Sequence, residues 1–79
     1  MRGATVYAFG KVLRRLIEEH DTTQADVSRV TGIKKQNISL MCNGKTRYPS
    51  IHACKLIANY FGLTLDELWA LVEAEEQKS

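Results

Sequence analysis

Stop signals cut this chain into pieces that only short helices can use. His20-Asp21-Thr22, Gly32, Asn43-Gly44 and Gly62 each follow a run in which apolar residues recur at helical spacing. The first run, with Phe9, Val12, Leu13, Leu16 and Ile17 on one side, predicts a half-buried helix from Val6 to Glu19. Thr23 and Asp26 fit the cap of a second helix, Gln24 to Val30, with Val27 and Val30 facing inward. A third runs from Lys35 to Cys42, with Ile38 and Met41 apolar and Ile33 packing just before it. A fourth opens at Ser50 and buries Ile51, Cys54, Ile57, Ala58 and Phe61. A fifth opens on the capping box Thr64-x-x-Glu67 and carries Leu65, Leu68, Trp69 and Val72. No stretch alternates as a strand would. The expectation is an all-α fold: five helices in one compact bundle over 6–74, an arm at 1–5 and a polar, fraying tail at 75–79.

At 79 residues the chain makes one domain with a small core. Its apolar runs are too short to span a membrane, and no signal peptide is evident, so a cytosolic, nucleoid-associated home is expected. Cys42, Cys54, His20 and His52 do not match the usual spacing of zinc ligands. Cys54 reads as a core residue, Cys42 as a partly exposed one, and both histidines as surface residues. With no Gly-rich phosphate loop and no nucleophile–base pair, neither a cofactor nor an enzyme activity is expected.

The net charge of +2 hides a segregation. No acid lies between Val27 and Leu65, where Arg29, Lys34, Lys35, Lys45, Arg47 and Lys55 fall. The nine acids gather at 18–26 and 66–76. One-sided charge beside a helix pair points to a polyanion, most commonly DNA. The second and third helices meet the demands of a helix-turn-helix. Ser28 is small where two steeply crossing helices touch, and Gly32 supplies the sharp turn. Val27, Ile33, Ile38 and Met41 are placed to lock the pair. Lys34, Lys35, Gln36 and Asn37 then stand polar at the front of the third helix, with Leu40 one turn beyond Gln36.

At this point the chain resembles the Cro/CI-type helix-turn-helix regulators related to lambdoid phage repressors. The resemblance rests on Thr23-Gln24, Val27-Ser28, Gly32-Ile33, Ile38-Ser39, Asn43-Gly44-Lys45, Pro49, Ile57-Ala58 and the run from Gly62 to Leu68. It covers about residues 9–69. It implies that the third helix enters the major groove of double-stranded DNA, where Lys35, Gln36 and Leu40 reach base edges and Asn37 reaches a base or a phosphate. It also implies phosphate contacts from Gln24, Asn43, Lys45 and Arg47, with Lys34 beside them. The side chains suit those tasks. Gln36 can donate and accept to adenine, Lys35 can donate to guanine, and Leu40 can meet a thymine methyl.

Two positions depart from the family pattern. Lys34 replaces a common capping Ser or Thr, and Cys42 replaces a frequently acidic residue. The expected function is that of a transcription regulator, in the manner of a Cro-like or stand-alone repressor. It would bind a near-palindromic operator as a homodimer through Leu68, Trp69 and Val72. A second reading makes the chain a protein-interaction module such as an antitoxin, with a toxin or antirepressor as partner. Arg14 and Arg15 read as a solvated face or as members of intrachain ion pairs. Tyr48 has two equal readings, stacking on the sugar-phosphate or packing on Pro49, and Trp69 reads equally as core or interface.

Overall fold

The computed structural model describes residues 7–46 and 49–78. The described residues form five helices and no strand: α1 Ala8–Glu19, α2 Gln24–Thr31, α3 Lys35–Cys42, α4 Ile51–Tyr60 and α5 Leu65–Lys78. The expected all-α bundle is what the chain forms. α1 packs on α3 and α5, α2 on α3 and α4, and α4 on α5. No helix among the described residues is long and apolar enough to cross a membrane.

The helix starts follow from their side chains. Thr23 Oγ1 accepts the Asp26 N–H at 3.1 Å, and Ser50 Oγ accepts the Ala53 N–H at 3.1 Å. Each bond satisfies one of the donors that a first helical turn leaves without a partner. At α5 the capping box closes both ways. Glu67 N–H donates to Thr64 Oγ1 at 3.0 Å, and Thr64 N–H donates to Glu67 Oε1 at 2.8 Å. α1 begins at Ala8 behind an extended Tyr7, and the expected start at Val6 lies outside the described residues, as does the arm at 1–5.

The core is one cluster. Phe9, Leu13, Ile38, Ile57 and Leu68 are its largest fully buried side chains, with Val12, Val27 and Val72 among them. At roughly 1.5–3 kcal/mol for each large apolar side chain removed from water, this cluster is the main source of stability. A polar contact staples its edge: Thr22 and Tyr60 share a hydrogen bond at 2.5 Å between their hydroxyls, tying the α1–α2 link to α4.

Several side chains sit otherwise than their apolarity predicts. Val30 is 59% exposed, because the inward stripe of α2 is Gln24, Val27, Ser28 and Thr31, and Val30 lies past its edge. Ile51 is 68% exposed, because it is the first residue of α4 and overhangs the end of the core. Cys42 is buried rather than partly exposed, because it follows Ile38 by one turn on the face that α1 covers. Leu68 and Val72 are both buried inside the protomer and so offer no surface to a second copy. Residues 75–78, expected as a fraying tail, continue α5. Glu75 pairs with Arg15 of α1 at 3.3 Å, which holds that last turn against the bundle.

Candidate nucleic-acid interface

The turn between α2 and α3 is fixed by side chains as well as by its glycine. Gly32 adopts φ +80°, a left-handed conformation costly for residues with a Cβ. Ser28 does more than stay small, since its hydroxyl donates to the Ile33 carbonyl at 2.6 Å, across the turn. Thr31 Oγ1 donates to the Val27 carbonyl at 2.6 Å and accepts the Ile33 N–H at 3.2 Å. Val27 and Ile38 are fully buried, Met41 nearly so, and Ile33 packs against the core from its edge. The residues expected to lock the helix pair therefore meet.

α3 presents a polar outer surface. Lys34, Lys35, Gln36 and Asn37 are all exposed, and Leu40 is 42% exposed. Gln36, Leu40 and Asn43 follow one another at i, i+4 and i+7, one ladder along the outside of the helix and its cap. Asn37 and Leu40 also border a shallow groove whose far wall is Thr46, Pro49 and Ser50 at the start of α4. Lys34 is the N-cap of α3, and its side chain makes no capping bond. The front of α3 thus combines two exposed cations with a helix N-terminus not capped by its own N-cap side chain, a combination that favours anions.

The far end of α3 is a Schellman turn. Gly44 N–H donates to the Met41 carbonyl at 3.0 Å, and Lys45 N–H donates to the Leu40 carbonyl at 3.0 Å. Asn43 and Lys45 leave this turn exposed. Gln24, at the start of α2, is half-buried. Arg47 and Tyr48 lie outside the described residues. Arg29 pairs with Asp26 at 3.1 Å on the outside of α2. Arg14 is exposed, and Arg15 makes the intrachain ion pair with Glu75.

The sequence reading passed over Gly10. It lies in the first turn of α1 and is buried where α1 meets the end of α3. A Cβ there would strike the Met41 carbonyl oxygen and approach the Gly44 nitrogen to 2.9 Å. The Tyr7 N–H also donates to the Gly44 carbonyl at 3.2 Å. The beginning of α1 is therefore docked on the turn that presents Asn43 and Lys45. The available signal was a glycine inside a helical run, which costs about 1 kcal/mol against alanine and so implies a packing reason.

Burial raises the Cys42 thiol above its ordinary value, and the positive charge of nearby Arg14 opposes that rise in part. Burial raises Cys54 as well. Both cysteines are free and buried, which favours neutral thiols inside the fold.

A family model described as helix-turn-helix matches residues 13–68, from within α1 into the second turn of α5. No curated protein and no solved structure matches the chain.

Proposed function

Since the chain belongs to the Cro/CI-type helix-turn-helix family of DNA-binding regulators, we propose that it binds a specific operator in double-stranded DNA as a homodimer and represses transcription in the cytosol. The observation that carries this reading is the exposed face of α3. Lys34, Lys35 and Lys45 stand at its two ends, and Gln36, Asn37 and Leu40 lie between them. The cations fit phosphates, and the three uncharged residues fit base edges and a thymine methyl. Gln24, Asn43 and Arg47 complete the proposed phosphate set.

α3 has eight residues, so it is about 12 Å long and can read only a few base pairs. A second copy supplies the rest of the site. Two-fold symmetry then calls for a near-palindrome with half-site centres about 34 Å apart.

The test is selection of bound sequences from a random duplex pool at stated salt, run on the parent chain and on Gln36→Ala. The parent should enrich a near-palindrome, and its affinity should fall with salt at a log–log slope near −7 for about four phosphate contacts per subunit. Gln36→Ala should lose about 1–3 kcal/mol per site and relax the preference at one position in each half-site. A salt slope near zero would remove DNA as the ligand. An unaltered preference in the variant would remove Gln36 from base reading.

A further inference from the structure

Beside the turn at the end of α3 lies a cation that belongs to neither helix of the helix-turn-helix. Gly10 faces that turn, since a Cβ there would meet the Met41 carbonyl oxygen and the Gly44 nitrogen. Arg14 follows Gly10 by four residues, on the same side of α1. A helical side chain leans toward the start of its helix and covers the preceding turn. Arg14 therefore extends over the place where α1 touches Met41 and Gly44. A second observation agrees. The Arg14 charge is felt by the Cys42 thiol in the last turn of α3, where it opposes the effect of burial. Asn43 and Lys45, both exposed, are the neighbours of that spot along the chain.

The guanidinium is free to bind a ligand. Lys11, Arg14, Arg15 and Glu18 line a shallow hollow on the outside of α1. Arg15 is committed to Glu75 at 3.3 Å. Arg14 is exposed, and it has no ion pair among the described residues, with Glu18 or with any other acid. A helix turns about 100° per residue, so Lys11 points about 100° away from Gly10 and Arg14 only about 40°. Arg14 is thus the cation of this hollow that lies nearest the end of α3. No acid occurs between Val27 and Leu65, so α3 and its turn offer Arg14 no carboxylate. A guanidinium, an ammonium and an amide then stand together, and a guanidinium suits a phosphate through paired N–H donors.

We propose that Arg14 is a DNA phosphate contact made from outside the helix-turn-helix, beside the phosphate that Asn43 and Lys45 hold. This deepens the reading of the chain as a DNA binder and rests on it. It replaces the expectation of a solvated Arg14 and gives α1 a part in binding, because the close approach at Gly10 carries the guanidinium to the turn. A cation beside the last turn of a helix also favours that helix through its dipole. The two roles have different signatures.

The test is titration of the full chain with the duplex that selection enriches, between about 50 and 200 mM salt, for the parent, Arg14→Gln and Arg14→Lys. Arg14→Gln should flatten the log–log slope by about 0.9 per subunit and weaken binding about eightfold per subunit at about 0.1 M salt. Its enriched sequence should be that of the parent, because phosphate contacts carry no base information. Arg14→Lys keeps the charge and should keep the slope. Neutral methylphosphonates, placed one at a time along the duplex, assign the contact. One of them should weaken the parent and have no further effect on Arg14→Gln.

Thermal midpoints are measured alongside. An Arg14 that served only the end of α3 would lower the midpoint in Arg14→Gln and leave the salt slope unchanged, which overturns the proposal. Equal losses in both proteins at every methylphosphonate do so as well. A parent that binds no duplex, or binds with a slope near zero, sinks the DNA reading and this inference with it. A steep slope that Arg14→Gln shares sinks this inference alone.

Discussion

A single missing side chain sets how closely α1 approaches the turn that presents Asn43 and Lys45. At Gly10 the obstacle to a Cβ is backbone, the Met41 carbonyl and the Gly44 amide, and no rotamer change can clear it. Alanine there would gain helix propensity of about 1 kcal/mol and lose more through the displacement of α1. Gly10→Ala should therefore lower the free energy of unfolding by about 1–3 kcal/mol. A urea titration checks this, and a variant as stable as the parent would show that α1 can slide without cost. Ser28 teaches a related lesson. Its small size was legible in the sequence, but its bond to the Ile33 carbonyl was not, because that partner is set by how the turn closes. Val30 and Ile51 look like core residues from their chemistry alone. Val30 lies past the inward stripe of α2 and Ile51 overhangs the end of the core, placements that their chemistry alone does not reveal.

At the scale of the helix, α3 starts without a capping bond from its N-cap side chain. Thr23, Ser50 and Thr64 cap their helices through side-chain oxygens, whereas Lys34 does not. Lys34→Ser should add a cap worth about 1 kcal/mol and raise the thermal midpoint. The same change removes a cation from the proposed phosphate set, so duplex affinity should fall and the salt slope should shrink by about one unit per subunit. Opposite shifts in the two measurements are the expected signature. A gain in both would show that Lys34 takes no part in binding. The helices and their caps were the most legible part of this protein, because the starts of α2, α4 and α5 each rest on a residue and a donor three positions apart. The end of α5 was less so. Its polar composition reads as a tail, and its order comes from Glu75 meeting Arg15 across 60 positions of sequence.

Across the whole molecule, the two thiols report on the integrity of the core from separate places, one under α1 and one under the groove of α4 and α5. Both are held above their ordinary values by burial. A raised value in the folded state means that the folded protein holds these protons more tightly than the unfolded chain does. Their contribution is fully present below the unfolded value of about 8.5 and is lost as pH rises through the folded values. Thermal midpoints from pH ~7 to ~10 should hold level and then decline. A Cys42→Ala/Cys54→Ala variant, less stable throughout from the cavities it leaves, should decline less steeply. Equal slopes would assign the alkaline loss to other groups. The helix-turn-helix was readable from Gly32, the apolar residues around it and the acid-free stretch. The arrangement of α1 around the end of α3, and of α4 beside α5, was not, since it depends on contacts between residues far apart in sequence.

The bond from the Tyr7 amide to the Gly44 carbonyl also matters for anyone who labels this protein. It places residue 7 at the turn from which Asn43 and Lys45 emerge. A fluorophore attached there would stand next to any duplex that α3 engages and would report its arrival directly.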